Sequence, residues 1–241
     1  RAMIFLGKLG IGMNLSVKIY KKYGDSLYDI IEENPYRLAD DIEGVGFKIA
    51  DEIARNSGVQ SNSPYRIKSG ILYTLMQSVI NGHTYLPKNE LVERSANILN
   101  TVIDEPDELL MDMIINRKII IRKVNDIDVV YPVNLYNTEL SVARKLLELN
   151  KEYSVDDRNF EIEISAIQRR EHIELDSLQK DAVKAAATNG FLVVTGGPGT
   201  GKTTTINCMI KYFEDLNMEI RLAAPTGRAA KRMTEATGYE A

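Results

Sequence analysis

The sequence contains one cysteine, no tryptophan and two histidines among its 241 residues. A single thiol, Cys208, cannot form an internal disulfide, which excludes a small secreted module held together by disulfides. Histidine and cysteine this sparse and scattered also argue against a zinc site built from those ligands. Long apolar runs are missing too, since none approaches the ~18 residues needed to span a bilayer. These absences are typical of a cytoplasmic protein that makes no membrane contact.

A basic excess is also missing, because 30 basic residues face 34 acidic ones for a net charge of −4. Nucleic-acid binders often carry a basic excess, so any DNA contact must come from local geometry. The length predicts about two domains. The N-terminus, Arg1 to Ile4, lacks the layout of a signal peptide. A chain that begins with Arg1 is expected to be a piece of a longer protein.

A phosphate-binding loop is the most specific motif present. The spacing from Gly196 to Thr203 matches G-x-x-x-x-G-K-[ST] in full. We expect a buried strand at 191–195 before it and a helix over 203–216 after it, so that glycine N–H groups and a helix N-terminus face the phosphates. A glycine-rich turn that binds nothing is the alternative. The predicted nucleotide contacts within the motif are Gly196, Gly197, Pro198, Gly199, Thr200, Gly201, Lys202, Thr203 and Thr204.

Two residues of this loop would carry the chemistry of ATP and Mg²⁺. Lys202 is expected to reach the β- and γ-phosphates, and the Thr203 hydroxyl is expected to bind the Mg²⁺ ion. Upstream, Asp176 or Ser177 can cap a helix that runs to Asn189. Downstream, 220–224 is predicted as a second strand, followed by a turn and a helix rich in cations. Those cations suit phosphate contacts, or they form an ordinary solvated helix face.

Two short segments near the N-terminus share one pattern. Gly10-Ile11-Gly12 and Gly44-Val45-Gly46 each lie between two predicted helices, as in a helix–hairpin–helix motif. Glycines there leave N–H groups bare at a helix start, where a DNA phosphate can dock without reading sequence. The alternative is that the glycines serve only tight packing, and acidic residues at 40, 41 and 43 weaken the second hairpin as an anion site. The predicted DNA contacts are Gly10, Gly12, Lys18, Gly44, Gly46 and Lys48.

The middle of the chain predicts three helices, over 64–81, 87–100 and 106–116. A β-hairpin around Asn125-Asp126 follows, and the set is typical of a winged-helix-like module. Its basic residues are expected mainly in solvent. A further helix over 137–150 is predicted with its leucines inward, and a charged connector over 151–171 is predicted to contain a strand at 160–164.

Three segments in order resemble a known family. "LQKDAV" around Gln179, "TGGPGTGKTTT" and "APTGRAAKRM" together resemble the Q-motif, motif I and motif Ia of RecD/TraA-type superfamily 1 DNA helicases. "GHTYLP" resembles the extended N-terminal region of RecD-type helicases. The resemblance implies ATP-driven 5′→3′ translocation on single-stranded DNA, with duplex junctions as further ligands. It also implies that Gln179 reads adenine and that Pro225, Thr226 and Arg228 touch the DNA strand.

The predicted fold is therefore mainly α N-terminal modules followed by a truncated α/β P-loop NTPase domain of RecA type. The expected boundaries are tandem helix–hairpin–helix 1–61, winged-helix-like 62–136, helix and connector 137–173, and motor domain 174–241. No strand ending in an acidic pair follows Ala224, so we expect an inactive fragment. Its incomplete sheet is expected to leave an exposed edge, to be unstable or to dimerise. Two other functions stay open: a DNA-binding scaffold with a vestigial P-loop, and a recombination ATPase that is not a helicase.

Overall fold

The computed structural model describes residues 1–241, which form two compact units, 1–140 and 141–241. None of the helices in either unit combines the length and the apolar character needed to cross a membrane.

The first unit opens with five short helices joined by tight turns. Two of the connections are the glycine hairpins predicted from the sequence, and a single 3-10 turn covers Gly24–Ser26. Apolar residues at helical spacing turn inward, so that Ile19, Leu27 and Leu38 are fully buried. The five helices are α1 (Ala2–Lys8), α2 (Met13–Tyr23), α3 (Leu27–Glu33), α4 (Arg37–Asp41) and α5 (Phe47–Asn56).

The rest of this unit has the helix and strand order of a winged helix. Its sheet is antiparallel throughout with strand order β1-β3-β2. Asn125 and Asp126 have φ of 48° and 62°, as a two-residue type I′ hairpin turn requires. The predicted helices and hairpin are confirmed. The elements are α6 (Pro64–Ile80), β1 (Leu86–Pro87), α7 (Lys88–Leu99), α8 (Pro106–Ile115), β2 (Ile119–Val124) and β3 (Ile127–Pro132).

One continuous core joins these two parts of the first unit, extending from Leu6 in α1 to Val130 in β3. Helices α6 and α7 pack so closely at Gly70 that a Cβ there would lie 2.6 Å from the Leu99 side chain. An ion pair adds a polar connection, because Arg66 at the start of α6 donates to Asp51 of α5 from Nε at 2.8 Å and from Nη2 at 3.1 Å. These contacts make the helix–hairpin–helix part and the winged part a single packed body.

The second unit is mainly helical and has a small core. Helix α9 starts within the first unit and continues into the second. The buried side chains of the second unit's core are Phe160, Ile164, Ile167, Leu175, Val183, Cys208 and Tyr212. Its helices are α9 (Val133–Leu149), α10 (Asp157–Glu171), α11 (Ser177–Thr188), α12 (Lys202–Asp215) and α13 (Gly227–Thr237).

Two predictions for the stretch before α11 are wrong. Residues 160–164 belong to helix α10 and not to a strand, because Asp156 caps this helix through the N–H groups of Arg158 and Asn159. Its buried residues then recur at helical spacing, as Phe160, Ile164 and Ile167. Helix α9 buries no residue, and its predicted inward face is largely in solvent, with Leu147 75% exposed.

The two strands predicted in the motor region are also not formed. Residues 191–195 and 220–224 have no ladder partner, and the pairing in this unit is one isolated bridge between Glu152 and Asn189. An extended segment becomes a strand only when a neighbour satisfies its N–H and C=O groups. Without one, Val193 is 65% exposed. The fold class is nevertheless confirmed in outline, as a helical hairpin-containing part followed by a P-loop part.

Candidate nucleotide and DNA sites

The two glycine hairpins of the first unit have nearly the same backbone. Their first glycines, Gly10 and Gly44, have φ of +85° and +95°, which L-residues rarely adopt. Their second glycines, Gly12 and Gly46, are the N-cap residues of α2 and α5. The residue between them is buried in both hairpins while the glycines are exposed. Each hairpin therefore exposes the N-terminus of a helix, as the predicted phosphate contacts require.

Side chains connect each hairpin to the helix of the other. Asn56 at the end of α5 donates from Nδ2 to the Leu9 carbonyl, 2.9 Å away, just before the first hairpin. Lys18 of α2 donates from Nζ to the Glu43 carbonyl, 3.2 Å away, just before the second. The structure thus brings the predicted residue Lys18, from the helix that follows the first hairpin, to the second hairpin. Nothing in the sequence spacing could reveal this reciprocal pair, because it depends on how α2 and α5 pack.

The acidic residues around the second hairpin have partners of their own. Asp40 pairs with Lys118 at 3.0 Å, and Asp41 accepts a hydrogen bond from the Tyr23 hydroxyl at 2.7 Å. Burial and the neighbouring Asp41 raise the pKa of Tyr23 above its usual range. Lys18 adds a cation beside Glu43. The negative charge expected to weaken this hairpin is therefore partly offset, and Lys48, on the first turn of α5, is exposed.

The P-loop forms the turn that its motif predicts. Gly199 and Gly201 have φ of +77° and +72°, and Gly201 is the N-cap of α12. The Lys202 ammonium lies over the loop and donates to the Gly196 carbonyl at 2.8 Å and to the Gly197 carbonyl. The loop is further closed by Thr200 Oγ1, which donates to the same Gly197 carbonyl at 3.0 Å. Loop, lysine and helix start are therefore assembled from local sequence alone.

Gln179 lies directly beside this loop. Its Oε1 accepts from the Asp176 N–H at 3.1 Å, and the Asp176 carboxylate accepts from the Gln179 N–H at 2.8 Å, a reciprocal capping box. A Cβ on Gly201 would lie only 2.2 Å from Gln179 Nε2. The structure thus brings together two predicted nucleotide contacts from separate segments. The D-x-x-Q spacing in the sequence could have revealed the capping box.

One residue of this loop could contact a Mg²⁺ ion. Thr203 is exposed on the first turn of α12, so its hydroxyl suits a metal bound to phosphate. No group of three or more acidic, histidine or cysteine side chains is placed to hold a metal ion. The residues fit an ion held largely by the nucleotide's own phosphates.

The other predicted DNA contacts lie at the start of α13. Thr226 caps this helix, with its hydroxyl accepting from the Ala229 N–H at 3.3 Å, while Pro225 and Arg228 are exposed. The cap gives Thr226 a structural role in addition to the predicted one. Helix α13 is connected to α12 by Asn207, whose Nδ2 donates to the Ala236 carbonyl at 3.1 Å.

Sequence comparisons match both parts of the chain to known families. Residues 1–85 match the family model described as the HHH domain of ATP-dependent RecD2 DNA helicases. Residues 179–241 match the model described as an AAA domain. The match at 1–85 covers both glycine hairpins, and the match at 179–241 begins at Gln179 and includes the P-loop.

Curated relatives agree with these matches. The ATP-dependent RecD2 DNA helicase of Deinococcus radiodurans is 25% identical in an alignment 256 residues long. The alignment covers 100% of this chain and 35% of the relative. The RecBCD enzyme subunit RecD of Haemophilus influenzae is 47% identical over 60 residues, covering 24% of this chain and 9% of the relative. The subunit of the same name from Mycolicibacterium smegmatis is 44% identical over 69 residues, covering 26% and 12%. The predicted resemblance to RecD-type helicases is confirmed, and the chain spans about a third of the RecD2 relative.

Proposed function

We propose that this chain, related to RecD-type helicases over both of its units, is the DNA-handling and nucleotide-binding part of an ATP-dependent 5′→3′ DNA helicase. The observation that carries the proposal is Gln179 beside the P-loop, in a chain that also presents two exposed glycine hairpins. One feature suits a nucleotide and the other suits a DNA backbone. A helicase requires both in one protein.

In the second unit the proposed ligands are ATP and Mg²⁺. The loop N–H groups and the α12 N-terminus would hold the phosphates, Lys202 would neutralise their charge and Thr203 would contact the metal. Gln179, which lies beside the loop at Gly201, would contact the adenine, as the resemblance to RecD-type helicases implies. When ATP binds, the Lys202 ammonium would give up its hydrogen bonds to the Gly196 and Gly197 carbonyls and donate to phosphate oxygens instead.

In the first unit the proposed ligand is the DNA backbone, bound without regard to sequence. The hairpin residues at 10, 12, 44 and 46 would offer N–H groups, and Lys18 and Lys48 would add positive charge.

In the second unit, Arg228 and its neighbours at 225 and 226 would contact the DNA strand. We also propose the domain boundaries predicted above, with the hairpin part ending near 61 and the motor part beginning near 174.

Binding of a fluorescent ATP analogue to this chain tests the nucleotide site. Lys202→Ala should weaken binding at least tenfold, because charge-assisted contacts to phosphate are lost. Lys211→Ala is the matched control, since Lys211 lies on the same helix and pairs with Glu214 at 3.1 Å. No affinity in the unmodified chain would favour the scaffold with a vestigial P-loop.

Unwinding of tailed duplexes by the full-length gene product tests the activity and its direction. A helicase of the proposed class should open 5′-tailed duplexes and leave 3′-tailed ones closed. ATP hydrolysis without unwinding would favour the recombination ATPase, and strict 3′→5′ movement would contradict the RecD-type assignment.

A further inference from the structure

A cavity of about 270 Å³ lies within the first unit, and none of the hairpin glycines lines it. It is bounded by the segment from Asn34 to Asp40, by the first half of α6, and by the end of α8 with the start of β2. Its walls therefore come from both the helix–hairpin–helix part and the winged part. These parts share one core, so the walls of the cavity belong to one packed body.

The charges around this cavity cancel. Lys68 pairs with Asp112 at 2.6 Å and Lys118 pairs with Asp40 at 3.0 Å, so both cations have an acidic partner within the cavity wall. A phosphate would have to compete with two carboxylates, and a divalent cation would have to compete with two ammonium groups. The cavity thus favours a neutral ligand.

The remaining lining groups suit a flat ring with polar edges. Tyr65 lines the cavity and is 40% exposed. The Lys68 ammonium lies 5.2 Å from the centre of its ring, so a base would stack on the ring surface that this ammonium leaves open. Asn34 accepts from the Tyr36 N–H with its Oδ1 at 3.2 Å, leaving its NH₂ as a donor. Asn116 donates from its Nδ2 to Asp112, leaving its Oδ1 as an acceptor. Leu72 and Met113 add apolar surface.

We propose that this cavity binds a single unpaired nucleobase of the DNA strand, stacked on Tyr65 and contacted at its edges by the amides of Asn34 and Asn116. Base edges present donors and acceptors together, as these two amides do. Sites for drug-sized ligands are ~300–1,000 Å³, so this smaller cavity suits one base. The inference rests on the proposed function, because it requires the chain to bind DNA.

Such a pocket would complement the hairpins. Their glycine turns can hold phosphates of either a paired or an unpaired strand, whereas a base enters a pocket only after it leaves the duplex. A base held at Tyr65 would therefore favour DNA with an unpaired segment. Stacking tolerates every base, so sequence independence is kept.

The test compares two oligomers of equal length and charge, a single-stranded oligothymidylate and the same backbone with abasic residues throughout. Tyr65→Ala should lower the affinity of the chain for oligothymidylate about 5- to 100-fold and leave affinity for the abasic strand unchanged. Tyr65→Phe should keep most of the affinity, because the ring remains. Tyr153→Ala is the control, since Tyr153 is a 55% exposed tyrosine outside the cavity. Circular dichroism checks that each variant folds.

Each other outcome overturns the inference. Equal losses on both strands would assign Tyr65 to the backbone or to stability. Normal binding of both strands by Tyr65→Ala would show that the pocket holds no base, as a pocket for a protein side chain predicts. If the unmodified chain binds neither strand, the inference fails together with the proposed DNA binding. If the unmodified chain binds both strands and Tyr65→Ala changes neither affinity, the inference fails but the proposed DNA binding stands.

Discussion

The first unit and the second unit both place a glycine turn at the start of a helix, but they support that turn differently. In the first unit, α2 and α5 bury Ile19 and Ile53 at 0% and 2% exposure, and each hairpin is held by a side chain from the other's helix. In the second unit, α12 rests on a seven-residue core, and the segment entering the P-loop leaves Val193 65% exposed. Local sequence suffices to shape a phosphate-binding turn, whereas a packed sheet beneath it needs partners from elsewhere.

The largest expected effect concerns the small core of the second unit, which contains the chain's single cysteine. Burial, with Glu171 nearby, raises the pKa of the Cys208 thiol to about 11. At pH 8 a thiol reagent should therefore modify Cys208 about 100-fold more slowly in the folded chain than in urea. Stopped-flow absorbance with a chromogenic disulfide measures both rates. Equal rates would mean that this core is not formed in solution, and that the two units differ even more in how tightly they are packed.

The close packing of the first unit gives a second test, with two glycines in helices as a matched pair. At Gly70 an added Cβ would lie 2.6 Å from Leu99, a buried side chain, while at Gly7 it would meet nothing within 4 Å. Gly70→Ala should destabilise the unit by about 1–3 kcal/mol through overpacking. Gly7→Ala should stabilise it by about 0.5–1 kcal/mol through helix propensity. Urea unfolding measures both, and a stabilising Gly70→Ala would show that α6 and α7 are loosely packed.

A third test uses the ion pair between α5 and α6. Asp51 is held by Arg66 and by the Tyr36 hydroxyl at 2.7 Å; these contacts lower the pKa of the carboxyl despite the opposing effect of burial. A lowered folded-state pKa stabilises the unit above the unfolded value of about 4 and loses that contribution as pH falls through the folded value. Asp51→Asn should cost about 1–2 kcal/mol at pH 7.

The pH profile separates this charge effect from a loss of packing. The difference in unfolding free energy between Asp51→Asn and the unmodified chain should shrink as pH is lowered from 5 to 3. A constant difference across that range would mean that the Asp51 carboxylate contributes nothing through its charge.

The sequence predicted what depends on local chemistry. The P-loop motif, the capping residue at 176, the hairpin glycines and the Asn125-Asp126 turn all specify their own backbone, and each is formed. Residues 160–164 were mispredicted because a short apolar run fits either a strand or one face of a helix, and the Asp156 cap decides for the helix. The hydrogen bond from Lys18 to the Glu43 carbonyl and the cavity at Tyr65 could not be predicted, since each joins residues distant in sequence.

The smallest expected effect tests the unpaired segment before the P-loop. Residues 191–195 are apolar or β-branched, the composition of a buried strand, yet they have no ladder partner and Val193 is 65% exposed. Val193→Ser should therefore change the free energy of unfolding by less than about 0.5 kcal/mol, as exposed substitutions do. Val183→Ser, at a fully buried position of α11, is the control and should cost about 2–4 kcal/mol. A cost at Val193 close to that at Val183 would mean that the segment is packed as a strand in solution, so that the second unit supports its glycine turn as firmly as the first.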